Sequence, residues 1–387
     1  MIKYIKEGRR LKNKNIIPEG SRDLIFNECR KKKIIINGLE KTFETFGYDE
    51  VITPTVEYYK TFSIDDECMD EEKIYKFFES SGRILALRPD MTLPIARVVS
   101  TKMKEVETPI RLRYTSNIFR VNRKFGGKKN EYTDLGVELI GVPELDGDIE
   151  VLTMALEGFK KLNISNFKLE IGNIKFFNEI FDKSKIKEDE KEKLAELIEE
   201  KSLIELEKFL DSLEIEESKR KFLKRLPWLF GDEDILNNYI EFKDDKGVMS
   251  TILYLKKINK ILKDLGYEEN ITFDLGMVPG VNYYTGIIFK GYIEGARAPV
   301  LSGGRYDNLI KSFGRDLPAV GFSIDVDLIL ENINFNNEEK IKEYIIYYGK
   351  NKLVQAIKES RAIRDKGIRV KLLASDEENL FNIYKGE

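Results

Sequence analysis

The sequence predicts an α+β fold, a largely antiparallel sheet flanked by helices. Three observations carry this. Short β-favouring runs separated by turn residues recur through residues 51–140, and two of them sit too close together for a parallel crossover between them. A block of charged, helix-periodic sequence at about residues 178–263 interrupts the strand signals, which then return. The last segment, residues 343–387, reads as one β-α-β unit.

Taken in order, Ser21 and Asp23 are the expected caps of a first helix whose apolar residues Ile35, Leu39, Phe43 and Phe46 recur at helical spacing, and Gly47 ends it. Strands are expected at 51–54, 84–87, 111–115, 117–120 and 135–140. Two of these flank Ser116, and the charged, glycine-containing loop 122–130 that follows favours antiparallel pairing. Within the helical block, Leu194, Leu197 and Ile198 form one apolar stripe, and Leu206, Phe209, Leu210 and Leu213 form the next. Strands return at 271–275, 286–292 and 319–324. The polar stretch 331–342, with Asn334, Asn336 and Asn337, reads as a linker. A strand (344–348), a helix (353–365) and a strand (369–373) follow, with too few residues for much of a core. The expected organisation is an N-terminal extension (1–16), a main domain (17–330) with its helical insertion, the linker and a tail (343–387).

Composition narrows the chemistry. The 387 residues contain no histidine, where a usual frequency of about 2% would give about eight. That excludes Ser-His-Asp and Cys-His catalysis, HExxH metal helices and imidazole general bases, leaving carboxylates, Lys and Tyr for acid-base work. Cys29 and Cys68 stand 39 positions apart without a CxxC, so neither a disulfide framework nor a zinc knuckle is expected, and a reducing, cytoplasmic setting is. Lys and Arg number 65 against 68 Asp and Glu, a net charge of −3 that lacks the basic excess of a general nucleic-acid binder. No apolar run has signal-peptide or membrane-spanning length. Gly303-Gly304 is followed by no Lys-Ser/Thr and is no phosphate loop; it reads as a pair that lets a strand turn tightly. No cofactor and no metal site are expected. The runs Lys31-Lys32-Lys33 and Lys128-Lys129 read as solvated surface.

Motifs in a fixed order point to function. Pro18-Glu19-Gly20-Ser21-Arg22-Asp23 precedes the first helix, which ends in Phe46-Gly47-Tyr48 before Pro54 and Glu57. Leu87-Arg88-Pro89-Asp90-Met91-Thr92 comes next, then Asn117-Ile118-Phe119-Arg120, a basic loop and Asp134-Leu135-Gly136-Val137-Glu138. Asn282-Tyr283-Tyr284-Thr285-Gly286 and Ser302-Gly303-Gly304-Arg305-Tyr306-Asp307 precede Ala319-Val320-Gly321-Phe322. Together they resemble the catalytic domain of histidyl-tRNA synthetases over roughly residues 17–330. The resemblance implies a class II aminoacyl-tRNA synthetase-like antiparallel sheet flanked by helices, with a helical insertion and a short C-terminal α/β remnant. It also implies a homodimer formed through the first helix and the region of Pro54.

The same motifs occur in a catalytically silent relative, the regulatory subunits of ATP phosphoribosyltransferase, and the departures favour that family. Pro279 stands where a synthetase carries the arginine that holds the substrate carboxylate. Leu328 stands where a second arginine clamps the ATP phosphates, and Asp325 where a glycine is usual. Cationic clamps of this kind contribute several kcal/mol to transition-state stabilisation. The tail is also about half the length that an anticodon-binding domain would take.

Carried over residue by residue, the resemblance implies a histidine-type pocket. Asp90 matches the acid that receives the α-amino group, with Thr92 beside it, and Glu138 matches the acid that accepts from the imidazole N–H. Tyr283, Tyr284 and Tyr306 match ring-contacting and hydroxyl-donating positions, and Arg120 matches a motif arginine that touches phosphate or carboxylate. Asp134 replaces a neutral amide and would repel a substrate carboxylate. Other readings of these residues stand beside this one. Tyr283 and Tyr284 suit core and edge aromatics, and Asp90 and Glu138 suit buried ion-pair partners of Arg88, Arg120 or Arg305.

The resemblance and its departures imply a regulatory subunit with no catalysis of its own. Its partner would be the short-form catalytic subunit of ATP phosphoribosyltransferase in the first step of histidine biosynthesis, with histidine as feedback effector. A homodimer core within a hetero-oligomer is implied; membrane association and tRNA binding are not expected. Two alternatives stay open: a minimal or atypical histidyl-tRNA synthetase, and an assembly scaffold that does not sense histidine.

Overall fold

A computed structural model of the chain describes residues 16–63, 71–122, 129–184, 186–239, 242–278, 283–333 and 343–385. Helix α1 (Phe26–Thr45) buries Ile35, Leu39, Thr42 and Phe43, and Gly47, at φ +81°, turns the chain out of it. Its start differs from expectation. Ile25, in extended conformation and with no side-chain bond, holds the cap position, and neither Ser21 nor Asp23 does. The preceding segment is committed elsewhere: the Asn130 N–H donates to Gly20 O at 2.7 Å, the Asn130 amide donates to Glu19 O at 3.0 Å, and Arg22 pairs with Glu28 at 3.2 Å. Lys32, in a run expected to be solvated, is part-buried and pairs with Asp327 at 2.8 Å. Lys129 likewise pairs with Glu331 at 2.8 Å.

Strands β1 (Asp49–Glu50), β2 (Val56–Tyr58), β3 (Lys76–Phe78) and β4 (Ile84–Leu87) lead to helix α2 (Thr92–Thr101). Residues 51–54, expected as a strand, are not one. The Arg88 guanidinium takes Thr53 O at 2.8 Å, and Pro54 has no N–H with which to extend a ladder. The two strands expected around Ser116 are a single one. β5 (Ile110–Phe119) runs straight through it and pairs along its length with β6 (Glu131–Ile140), Ser116 opposite Asp134. Nothing at Ser116 demands a turn conformation, so the ladder continues to the 120–130 loop, of which residues 123–128 lie outside the described set.

Helix α3 (Asp146–Lys161) and β7 (Phe167–Asn173), a strand with no counterpart among those expected, precede the helical block. That block holds α4 (Ile174–Ser184), α5 (Glu188–Glu199), α6 (Leu203–Ser212), α7 (Glu217–Arg225), the short strand β8 (Phe230–Gly231) and α8 (Lys246–Asp264). Its stripe residues Leu194, Leu197, Ile198, Leu206, Leu210 and Leu213 are buried. Then come β9 (Ile271–Asp274), β10 (Ile287–Ile293), β11 (Leu301–Arg305), α9 (Leu309–Ser312), β12 (Ala319–Asp325) and α10 (Val326–Asn332). The expected linker thus begins inside α10, and residues 334–342 lie outside the described set. Gly303-Gly304 makes no turn: both residues lie within β11, where a Cβ on Gly304 would sit 2.6 Å from the Tyr284 ring.

The main sheet has nine strands in the order β1-β5-β6-β12-β11-β10-β7-β9-β8. Pairing is antiparallel from β5 through β7 and parallel at β1–β5 and β7–β9. Strands β2, β4 and β3 form a small antiparallel sheet. One face of the main sheet lies under α1 and α3: Phe43 meets Phe322 edge-on at 5.6 Å, and Phe159 meets Phe167 at 5.2 Å. Each such ring contributes roughly 1.5–3 kcal/mol through burial. The opposite face is left for the cavity described below.

A second compact unit follows Ile333. Strands β13 (Glu343–Tyr348) and β14 (Arg369–Ala374) are parallel and joined by α11 (Leu353–Arg364). A third strand that the β-α-β expectation lacked, β15 (Phe381–Lys385), pairs antiparallel with β13 on its other side. Its buried side chains include Ile346, Ala356 and Ser360. Among the described residues no helix is long and apolar enough to cross a membrane.

Candidate functional site

The strand registers build the site. Glu138 on β6 stands between Leu112 on β5 and Gly321 on β12; one pair further along, Gly136 stands between Tyr114 and Ser323; the next pair sets Asp134 opposite Asp325. Side chains alternate between faces along a strand, so Tyr132, Asp134 and Glu138 share the face away from α1 and α3. A cavity of about 550 Å³ opens there. Gly321 makes room for it, since any side chain at that position would run into the Glu138 carboxyl. All eight residues of the expected pocket line this cavity: Asp90, Thr92, Arg120, Asp134, Glu138, Tyr283, Tyr284 and Tyr306.

Glu138 is the centre of a hydrogen-bonded group. The Thr92 hydroxyl donates to one carboxyl oxygen at 2.8 Å, and the Tyr306 hydroxyl donates to the other. Burial pushes the Glu138 pKa up to about 8 against the pull of these two donors, and the nearby Asp90 and Asp134 add to the rise. Asp90 leads into α2, where it accepts from the Leu93 N–H at 3.2 Å; burial raises its pKa, and Arg120 opposes the rise. Asp134 is pushed up to about 7 by burial, with Arg120 opposing and Asp325 reinforcing; the Tyr114 hydroxyl stands 3.5 Å away. Asp325 caps α10 by accepting from the Leu328 N–H at 2.8 Å, and burial raises its pKa as well.

Arg120 donates from Nε to Pro89 O at 2.8 Å and lies 6.0 Å from the Tyr132 ring centroid. Burial works against its charge, but Tyr132, Asp90 and Asp134 outweigh that effect and its pKa is raised. Tyr283 packs 5.0 Å from Tyr284 and edge-on to Tyr306 at 5.8 Å. Tyr283 and Tyr284 are half-buried, set against the core on one side and the cavity on the other. The result is a concave site with carboxyl acceptors, tyrosine rings and one guanidinium. It can accept hydrogen bonds from amine or imidazole N–H groups and stack a flat ring.

The ion-pair reading of Asp90 and Glu138 fails for two of its three arginines. Arg88 donates to Thr53 O at 2.8 Å and Asn117 O at 2.9 Å. Arg305, wholly buried, pairs with Asp148 at 2.6 Å and Asp307 at 3.0 Å. Of the departures noted in the sequence, Leu328 contributes its backbone to the Asp325 cap and is absent from the cavity lining, while Pro279 lies outside the described residues. The expected set omitted Tyr114, Tyr132, Ser323, Lys290 and Asp325, which also line the cavity. The period-2 pattern through Tyr132, Asp134 and Glu138, repeated by Ser323 and Asp325, was the available signal. Among the described residues no group of three or more acidic, Cys or His side chains is placed to hold a metal.

Comparison with known proteins places the chain among relatives of this fold. The family described as Histidyl-tRNA synthetase matches residues 20–329. An ATP phosphoribosyltransferase regulatory subunit of Clostridium kluyveri is 40% identical over 370 residues, 94% of each chain. One from Clostridium botulinum is 40% identical over 95% of this chain and 88% of its own. The crystal structure of an ATP phosphoribosyltransferase regulatory subunit/histidyl-tRNA synthetase from Bacillus halodurans superposes with a TM-score of 0.84 at 30% identity, covering 94% of this chain and 93% of that one. Histidyl-tRNA synthetase from Nostoc shares the fold, with a TM-score of 0.78 at 19% identity over 95% of this chain and 87% of its own. With 40% identity to such a subunit over 94% of both chains and the same sheet architecture, the chain belongs to the family of ATP phosphoribosyltransferase regulatory subunits, built on the histidyl-tRNA synthetase fold.

Proposed function

We propose that this chain is a cytoplasmic subunit without catalysis of its own. It binds the short-form catalytic subunit of ATP phosphoribosyltransferase, is required for phosphoribosyl transfer onto ATP in the first step of histidine biosynthesis, and conveys feedback inhibition by histidine. The observation that carries this is the 40% identity to a regulatory subunit over 94% of both chains. The cavity supports it. Glu138 offers an acceptor to an imidazole N–H, Tyr283 and Tyr284 offer rings, Thr92 and Tyr306 hold the acceptor in place, and Asp90, Asp134 and Arg120 line the same cavity with charges for an amino group and a carboxylate. The coupling between effector and partner would be about 1–3 kcal/mol, the usual range for allosteric pairs.

A homodimer core belongs to the same reading. Ile34 (55% exposed), Ile52 (81%) and Phe78 (79%) are apolar side chains left uncovered on α1, the segment before Pro54 and the small sheet. The helical block 174–264 is read as an insertion in the synthetase-like domain, and the unit after Ile333 as a vestigial tail.

The test mixes the purified chain with a short-form catalytic subunit and follows phosphoribosyl transfer with and without histidine. Activity that appears only on mixing, and is inhibited by histidine, supports the proposal. The family match over residues 20–329 favours a second reading, a minimal histidyl-tRNA synthetase. Robust histidine-dependent ATP-pyrophosphate exchange by the chain alone would establish that reading and sink the regulatory one. Calorimetric titration with histidine separates a sensor from a scaffold: no heat from the chain or the complex removes the sensing role.

A further inference from the structure

The cavity is larger than one amino acid needs. Its volume of about 550 Å³ lies in the usual range for sites that take drug-sized ligands, and its tyrosine rings and glycine-thinned strands suit a flat heterocycle. Charge decides what enters. Its lining carboxyls are Asp90, Asp134, Glu138, Glu199 and Asp325, against the cations Arg120 and Lys290. Lys290 lies opposite Glu170 across β10 and β7 and favours the ionised forms of Glu170 and Asp274, so those two acids offset its charge. That leaves Arg120 to meet an anion, and Arg120 itself faces Asp90 and Asp134.

Asp134 and Asp325 are direct partners across β6 and β12, two acids opposite each other where like charges are destabilising. Local structure does not require either charge. Asp325 caps α10 by accepting from the Leu328 N–H, a role that Asn fills as well. The hydroxyls beside Asp134, those of Tyr114 and Ser323, can donate to an amide oxygen or accept from its N–H, so Asn keeps hydrogen-bonding partners there.

We propose that Asp134 and Asp325 form a selectivity wall that shuts phosphorylated small molecules, nucleotides included, out of the cavity and leaves it to amines, imidazoles and zwitterions whose carboxylate turns away from the pair. A phosphate drawn to Arg120 would meet the buried Asp134 carboxyl, with Asp325 as its direct strand partner, and repulsion at a buried group is screened less than at the surface. The inference deepens the reading of this cavity as an effector site and rests on it.

The test is calorimetric titration of the full-length chain with ATP and, separately, with histidine, at about pH 8, above the Asp134 value of about 7. The proteins are wild type, Asp134→Asn, Asp325→Asn and the double variant, with melting temperatures as the check on folding. The wall predicts that the double variant binds ATP about tenfold tighter than wild type or more, with the single variants between. It also predicts that adding Arg120→Gln to the double variant abolishes the gain. If the double variant does not fold, the single variants carry the comparison. Equal ATP affinity in wild type and variants, or no binding by any of them, overturns the proposal; so does a gain that survives Arg120→Gln. The histidine arm reads separately. Failure of wild type to bind histidine removes the effector reading and leaves the ATP comparison intact.

Discussion

Replacing Glu138 with Gln separates the charge of this residue from its shape. In the folded chain its carboxyl titrates at about 8, against an ordinary value of 4.5, because burial disfavours the anion. The native state therefore binds more protons than the unfolded state between these two values, and wild-type stability falls as pH rises from about 4.5 to about 8. Across that window each pH unit removes about 1.4 kcal/mol, so the loss between pH 5 and pH 8 is about 4 kcal/mol. Gln does not titrate and avoids that loss. It costs something at every pH, because its NH₂ faces one of the two hydroxyls, Thr92 or Tyr306, that now donate to the carboxyl. A weakened neutral hydrogen bond is worth about 1 kcal/mol. Glu138→Gln is therefore expected to be about 1 kcal/mol less stable than wild type near pH 5 and about 3 kcal/mol more stable at pH 8. Urea denaturation of both proteins at about pH 5, 6, 7 and 8 measures the difference. A stability difference that does not change across these four values would refute the argument that burial keeps this carboxyl protonated.

Other expectations follow from the same geometry. Asp148→Ala leaves the wholly buried Arg305 with Asp307 and two backbone carbonyls, so it should destabilise by about 3–5 kcal/mol in denaturant melts, and much less if Arg305 is replaced by Met at the same time. Tyr306→Phe removes one of the two hydroxyls that fix Glu138 and should weaken histidine binding roughly tenfold by calorimetry, while the carboxyl oxygen left without its donor lowers stability by about 1–3 kcal/mol in denaturant melts. Ile52→Asp combined with Phe78→Asp puts charges into the exposed apolar surface and should shift the chain from dimer to monomer in sedimentation velocity.

Much of the fold was legible because its signals are local. The helical spacing of Ile35, Leu39 and Phe43 marks a buried stripe whatever packs on it, and the motif order from Pro18 to Phe322 marks the sheet and brings eight residues to one cavity. The failures are local signals overridden from a distance. Ser21 and Asp23 have the chemistry of caps, yet Asn130 draws the backbone beside them into another contact. Lys32 sits in a basic run that looks solvated, yet Asp327, 295 positions away, takes its ammonium group into a part-buried pair.

By itself the sequence determined the class of fold and the lack of any imidazole chemistry, since these depend on residue type, short-range periodicity and motif order, and its resemblance to a known family pointed to eight of the residues that line the cavity. Only the tertiary structure decided what those groups do. It sets Asp134 opposite Asp325 across strands 191 positions apart, gives Arg305 to Asp148 rather than to Glu138, and buries Glu138 deeply enough to keep its proton near pH 8. Charge state and pairing follow from what surrounds a group after the chain has folded, and desolvation is a property of that surrounding, not of the residue.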